Sequence, residues 1–476
     1  MKLFEPLDIN GCVIPNRILV PAMVTRLSGE DGLVNRDITD RYVRYAEGGA
    51  GLIVVEAMAV HGAKSGPLLR ISDDSYLPGL SEMVRRVHDT SDSKIVPQII
   101  HFLKIARSGW RQTIDMLDEA DIDAIVGHFG AAAARAREAG FDGAELHSAH
   151  AYTLSSFISR RNPRNDDYGG SLENRLRLIG RVMNEVRRQA GDDFAVGVRI
   201  DAEEFIRGGY TVEEGKLIAL RHAQLGCDYI SLSVGGKFED AEHHPGKVLH
   251  AYSGYSGERA MPDAWHPDMT HVDLAAETKS FINAKGFQTP IVTAGKIWKP
   301  EDAEQILEEG RADVLGIARQ MLADPDWPNK IKRGESERIV VCDFCNICKI
   351  LDGEHRPVNC YLWPKGAVQA PPDAPGEGPT WGPGGGDLQV AFQGGEARLT
   401  WSKAEGSVAG YDVYRAADDG AMSVIEASKS RRWNDRSAMA GMRYHYYVRA
   451  YDPAGRPSPP SNTVLLEPEL PNYGAR

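Results

Sequence analysis

The 476-residue sequence has no uninterrupted apolar run that approaches the roughly 20 residues of a membrane-spanning helix. Its opening stretch, MKLFEPLDINGCVIPNRILV, lacks an apolar core behind a basic segment, so no secretory leader is expected and the chain reads as cytoplasmic. An excess of positive charge is missing too. With 55 Lys and Arg against 67 Asp and Glu, the net charge is -12 and nothing would neutralise phosphates over a broad face. Nucleic acids and anionic membranes are therefore poor partners, and small-molecule chemistry is the better expectation. Cysteine is scarce, at six residues, which excludes a disulfide framework in a chain of this length. No internal repeat is visible.

What is present, up to about residue 335, is an alternation of short β-rich runs with longer helical patterns. The strand candidates are 17–22, 52–57, 95–100, 143–147, 195–200, 228–233, 290–295 and 313–318. Each is followed by apolar residues recurring every three or four positions, as in DAIVGHFGAAAARAREAG (123–140). Eight such units with nearly continuous apolar strands predict a closed (β/α)8 barrel, with an open doubly wound sheet as the alternative. The barrel is expected over 1–335, followed by a cysteine segment over 336–363.

Residues 364–386, PKGAVQAPPDAPGEGPTWGPGGG, contain 13 Pro or Gly in 23 positions and keep no periodicity, which predicts a linker. Beyond it, ARLTWS (397–402), GYDVYR (410–415) and MRYHYYVRAYD (442–452) alternate like strands of a small all-β sandwich over 387–468.

In a barrel of this kind the active site lies at the C-terminal ends of the strands. The residues closing the candidates are unusually polar: Gln98, His101, His147, His150, Arg199, Lys296 and Arg319. A single histidine there is usually a satisfied structural residue. Seven polar side chains converging on one rim would be costly to bury without a polar ligand.

Four cysteines, Cys342, Cys345, Cys348 and Cys360, fall within nineteen positions. Three thiols on one tight loop and a fourth shortly after suit an iron–sulfur cluster better than zinc, which usually takes two separated Cys-x-x-Cys knuckles.

The segments LFEPLDINGCVIPNRILVPAM, GGAGLIVVEAMAV, AGFDGAELHSAHAY, RNPRNDDYGGSLENRLR, VRID and GIARQMLADP, in this order, resemble the old yellow enzyme family. The likeness is greatest to its subgroup of 2,4-dienoyl-CoA reductase, trimethylamine dehydrogenase and 2-enoate reductase, and it covers roughly residues 1–370. The resemblance implies an FMN whose ring lies against Pro21, Ala22, Met23 and Ala57. Gln98 would meet its pyrimidine edge, and Arg199 would stand by N1 and O2, where a fixed positive charge favours the reduced anion. Backbone amides at Gly295–Lys296 and Ala318–Arg319 would hold the phosphate. His147 and His150 would polarise a substrate carbonyl, with Tyr152 as proton donor; the structural alternative is that Tyr152 only walls the pocket. No cysteine lies near the first strand, so the flavin is expected to be non-covalent. The four cysteines would carry a 4Fe-4S centre.

The stretch 101–121 is shorter than the substrate-facing connection usual in the family. No GxGxxG stands between a strand and a helix after residue 335, so electrons are expected to pass to or from an external protein. The sandwich resembles a fibronectin type III domain, with Trp401 on an early strand and Tyr444 at the tyrosine corner, and suits docking, homo-oligomer contact or capping of the barrel. Three functions follow. The first is reduction of an electron-poor C=C bond conjugated to a carbonyl. The second is oxidation of an amine or similar small donor through the cluster, and the third is a flavin-free binding scaffold.

Overall fold

The computed structural model describes the chain apart from residues 64–65, 106–107, 109, 237–259, 265, 374–377, 419–421, 454 and 471–476. It divides into two compact units, Met1–Val358 and Asn359–Arg476.

The first unit opens with a hairpin of β1 (Leu7–Ile9) and β2 (Cys12–Ile14). Asn10 and Gly11 both have positive φ, 51° and 79°, the two-residue turn that matches strand twist. Eight parallel strands then close a barrel: β3 (Ile18–Val20), β4 (Leu52–Ala59), β5 (Lys94–Ile100), β6 (Gly143–Ser148), β7 (Ala195–Asp201), β8 (Tyr229–Ser233), β9 (Ile291–Ala294) and β10 (Val314–Gly316). Each strand pairs with the next, and β10 returns to β3. All eight sequence candidates fall on these strands.

Period-two alternation sorts the side chains. Outward residues such as Ile53, Val55, Leu146 and Val198 join the surrounding helices in one large core. Inward residues fill the barrel. Leu19, Leu52, Val54, Val96, Val292 and Val314 pack on Ile9, Cys12 and Ile14 of the hairpin, which therefore plugs the barrel. Each buried plug side chain contributes about 1.5–3 kcal/mol. Above this layer the interior turns polar. Gly197 is required there, because a Cβ on it would lie 2.0 Å from the Tyr229 ring.

The helices are built for one buried face. The helix Glu119–Glu138 starts in a capping box, with Asp118 accepting from the Asp121 amide and Asp121 accepting from the Asp118 amide, and buries Ile122, Ile125 and Phe129. Residues 340–358 also belong to this unit. Arg26 pairs with Asp352, the Val358 amide donates to Thr25, and Arg41 donates to the Val358 carbonyl.

The second unit holds a three-stranded and a four-stranded antiparallel sheet around one core that includes Leu399, Trp401, Val413, Tyr446 and Val448. The Tyr444 hydroxyl accepts the amide of Met439 at 2.9 Å, five residues upstream, as a corner tyrosine does. The Pro/Gly-rich stretch belongs to this unit and is tied to it at both ends: the Lys365 amide donates to Asp412 at 3.2 Å, and Trp381 stacks on Tyr411 and donates to the Pro459 carbonyl, because a large aromatic repays ordering there. Residues 374–377 of that stretch lie outside the described residues.

Candidate active site

At the C-terminal face, β6 carries Glu145 and His147 inward, and the chain then turns sharply through His150 and Ala151, both left-handed at φ 62° and 61°. Two such non-glycine residues cost about 1–3 kcal/mol each, so something must hold them. The Asp201 carboxylate at the end of β7 accepts the His150 amide at 2.9 Å, and His150 Nε2 lies 2.6 Å from the Ser233 hydroxyl at the end of β8. The turn brings three rings together. The His147 centroid lies 5.1 Å from that of His150 and 5.1 Å from that of Tyr152. Tyr152 packs against a small apolar group of Ala57, Ala59, Leu68 and Ile100.

Burial, with the nearby Arg199 charge, pushes the His147 pKa down to about 3, so its imidazole is neutral near pH 7. Its Nδ1 accepts the Ala149 amide at 3.4 Å, which leaves the proton on Nε2. His150 is likewise held well below the ordinary histidine range, by burial and by His147 and Arg199.

Beneath the rings lies a polar layer. Gln98 on β5 donates to Glu145 Oε1 at 2.7 Å, and Arg199 on β7 donates to the Ser231 hydroxyl at 2.9 Å. Arg199 is part-exposed, whereas Gln98 and Glu145 are buried. On the opposite side of the barrel, Pro21 is buried while Ala22 and Met23 are part-exposed. The loop they begin is anchored by Glu56, which accepts from the Thr25 amide and hydroxyl at 2.9 and 2.6 Å. Burial raises Glu56 to about 6, with the Thr25 donors pulling it back.

Gly295 takes φ 113° and would meet His271 if it carried a Cβ; Lys296 follows at φ 52°. The side chains of Lys296 and Arg319 tie down neighbouring loops. Lys296 Nζ donates to the carbonyls of Ala264 and His266, and Arg319 donates to the Pro262 carbonyl and to Asn346. The Phe344 ring sits under both cations, 4.9 Å from Lys296 Nζ and 5.0 Å from the Arg319 guanidinium carbon. The cysteine loop is thus docked on the ends of β9 and β10. Within it Cys342 is buried, its amide donating to Gln320, and Phe344 and Asn346 are left-handed. Cys360 falls in the second unit. Among the described residues no three His, Cys, Asp or Glu side chains are gathered closely enough to hold a metal ion.

His101 is also at this face, with Nδ1 2.8 Å from the Thr153 hydroxyl. Its partner His61, 4.5 Å away ring to ring and beside Phe102, escaped the sequence reading although it follows β4 directly. Glu145, Asp201 and Ser233 escaped it as well.

A part-exposed guanidinium and a buried amide, each interacting with Glu145, with small residues at Ala22, Ala57 and Gly295 near the strand ends, suit a planar polar ring with an apolar edge. The residues fit FMN, and the class they define is the FMN-dependent oxidoreductases. The sequence profile of the NADH:flavin oxidoreductase / NADH oxidase family matches residues 2–115 and 103–338, and the chain belongs to that family. An NADH oxidase of Thermoanaerobacter brockii is 36% identical over 73% of this chain and 53% of its own length. An N,N-dimethylglycine/sarcosine dehydrogenase of Chromohalobacter salexigens is 30% identical over 73% and 50%, and a cinnamate reductase of Clostridium sporogenes 30% over 72% and 54%. The chain spans about half the length of these relatives. Among solved structures, a 2-naphthoyl-CoA reductase superposes with a TM-score of 0.66 at 23% identity, over 80% of this chain and 60% of that one, a likeness of fold. Among the described residues no helix is long and apolar enough to cross a membrane.

Proposed function

We propose that the chain binds FMN non-covalently at the C-terminal face of the barrel and reduces a C=C bond conjugated to a carbonyl. The observation that carries this reading is the grouping of His147, His150 and Tyr152 on one turn above Gln98 and Arg199. Pro21, Ala22, Met23 and Ala57 would wall the ring, and the backbone at Gly295–Lys296 and Ala318–Arg319 would hold the phosphate.

When bound, FMN would supply the hydride chemistry that the reduction of a conjugated C=C bond requires. His147 is neutral and presents Nε2–H, so it can donate a hydrogen bond to the carbonyl oxygen without giving up its proton. His150 adds a second donor in the tautomer in which the Ser233 hydroxyl donates to Nε2 and the proton sits on Nδ1. Together they stabilise the charge that grows on that oxygen. Tyr152 then delivers a proton to the α-carbon, a transfer that a weakly acidic phenol can make to a basic enolate. The cinnamate reductase relative is consistent with a substrate of this chemistry.

A second reading is favoured by the dimethylglycine/sarcosine dehydrogenase relative and by the four cysteines. There the site oxidises an amine, and Cys342, Cys345, Cys348 and Cys360 hold a 4Fe-4S cluster that passes electrons to an external protein. Anaerobic mixing separates the two. Bleaching of the flavin by amines, with no reoxidation of dye-reduced flavin by enones, would reverse their order, and a protein without flavin absorbance would sink both.

A further inference from the structure

We propose that Glu145 is a positioning residue for the pyrimidine edge of the bound flavin: it fixes the orientation of the Gln98 amide and balances the charge of Arg199, and so sets the flavin's redox potential. The inference rests on the FMN reading and adds a residue which that reading does not use.

Glu145 points into the barrel from β6, is 1% exposed, and stands directly across from Gln98 in the β5–β6 register. Its Oε1 takes the Gln98 Nε2–H at 2.7 Å. An ionised carboxylate only accepts, so it decides which way the amide faces: NH2 toward Glu145 and the carbonyl oxygen away from it. That oxygen is then the acceptor for the imide N–H that a flavin presents on this edge. With the amide reversed, two donors would face each other.

The second role is electrostatic. Arg199 enters from the neighbouring strand β7, held by Ser231, and its charge acts on Glu145 and on the Asp201 carboxylate. A reduced flavin gains negative charge on this edge, which Arg199 favours and a carboxylate one layer below opposes. Burial raises the Glu145 pKa, and Arg199, Gln98 and Tyr229 pull it back. The Tyr229 hydroxyl faces the carboxylate from below, made possible by the missing side chain at Gly197. Among the described residues neither that hydroxyl nor Glu145 Oε2 completes a hydrogen bond of ordinary geometry.

The test starts from apoprotein titrated with FMN, followed by potentials from dye equilibration. Glu145→Gln removes the charge and keeps the shape. It should favour reduced over oxidised FMN by at least tenfold relative to wild type, which for a two-electron couple is about 30 mV upward. Tyr229→Phe keeps the ring and removes the hydroxyl whose presence lowers the Glu145 pKa, so its potential should shift from wild type in the direction of Glu145→Gln as the pH falls. Should Glu145→Gln fail to fold, the Tyr229→Phe comparison decides alone. Potentials equal to wild type in every folded variant across the pH range would overturn the role of Glu145 while leaving the FMN reading intact. A wild-type chain that takes up no FMN would overturn the reading beneath it.

Discussion

The carboxylate of Asp201 accepts the backbone amide of His150 at 2.9 Å, and that bond holds the left-handed turn on which the two histidines and Tyr152 are presented. The end of one strand therefore shapes the loop after its neighbour. Asp201→Ala should release the turn and weaken binding of a phenol or enone ligand about tenfold or more, because a strained geometry worth about 1–3 kcal/mol per residue loses its support. Asp201→Asn keeps an acceptor and should retain most of the affinity. Calorimetric titration of both variants measures this, and equal affinities in Asp201→Ala and wild type would remove Asp201 from the account.

Arg199→Ala should lower the flavin potential or its occupancy, since the part-exposed fixed positive charge of the polar layer is lost. Ser231 and Glu145 remain but carry no compensating positive charge. Potentiometry on reconstituted protein reads the effect, and unchanged potential and occupancy would refute the assignment.

The buried histidines give stability a pH dependence of defined sign. His61 and His222 are lowered to about 4, and His101 and His147 to about 3, each chiefly by burial. Between those values and the ordinary histidine pKa of about 6.5, the unfolded chain binds protons that the folded chain does not, so stability rises with pH and falls on acidification. Glu56 and Asp412, raised to about 6, act in the opposite direction between about 4 and 6, as do the raised Glu145, Asp302 and Asp324, but His128, His150 and His355 are lowered as well and side with the other histidines. The melting temperature should drop from pH 7 to pH 5. His222→Gln, on a helix whose Ile218 carbonyl its ring contacts, should flatten that slope without touching the site. A melting temperature independent of pH over this range would contradict the sign.

If the cysteines carry a cluster, Cys345→Ser should leave FMN bound and abolish exchange with a ferredoxin, flavoprotein or dye, while NADH and NADPH reduce the flavin poorly in either protein. Rapid-mixing absorbance resolves the two paths. A Cys345→Ser protein that turns over normally with a nicotinamide would make the cysteine loop structural.

Much of the barrel was legible because its strands are short apolar runs at regular spacing, and 195–200 and 143–147 differ from β7 and β6 by a single residue. The hairpin plug is hard to read even though Asn10-Gly11 is a strong turn signal, since three-residue strands carry almost no periodicity. His147, His150 and Tyr152 were legible as a compact motif. Glu145 was not: a lone acid in a strand reads as a solvent-facing position until the barrel closes and puts Gln98, 47 residues earlier, within reach. Asp201 and Ser233 were hidden for the same reason, as each acts on the loop of an adjacent strand rather than on its own. The grip of residues 340–358 on the barrel also depends on pairs such as Arg26 and Asp352, more than 300 positions apart.

The central claim is that Tyr152 supplies a proton needed only when substrate is reduced. Anaerobic stopped-flow absorbance of the two half-reactions tests it most directly, in wild type and Tyr152→Phe. The account predicts that reoxidation of the reduced flavin by an enone slows by about a hundredfold or more, within the usual contribution of a positioned general acid, while flavin reduction changes less than about twofold. Equal slowing of both half-reactions, or none of either, would contradict it.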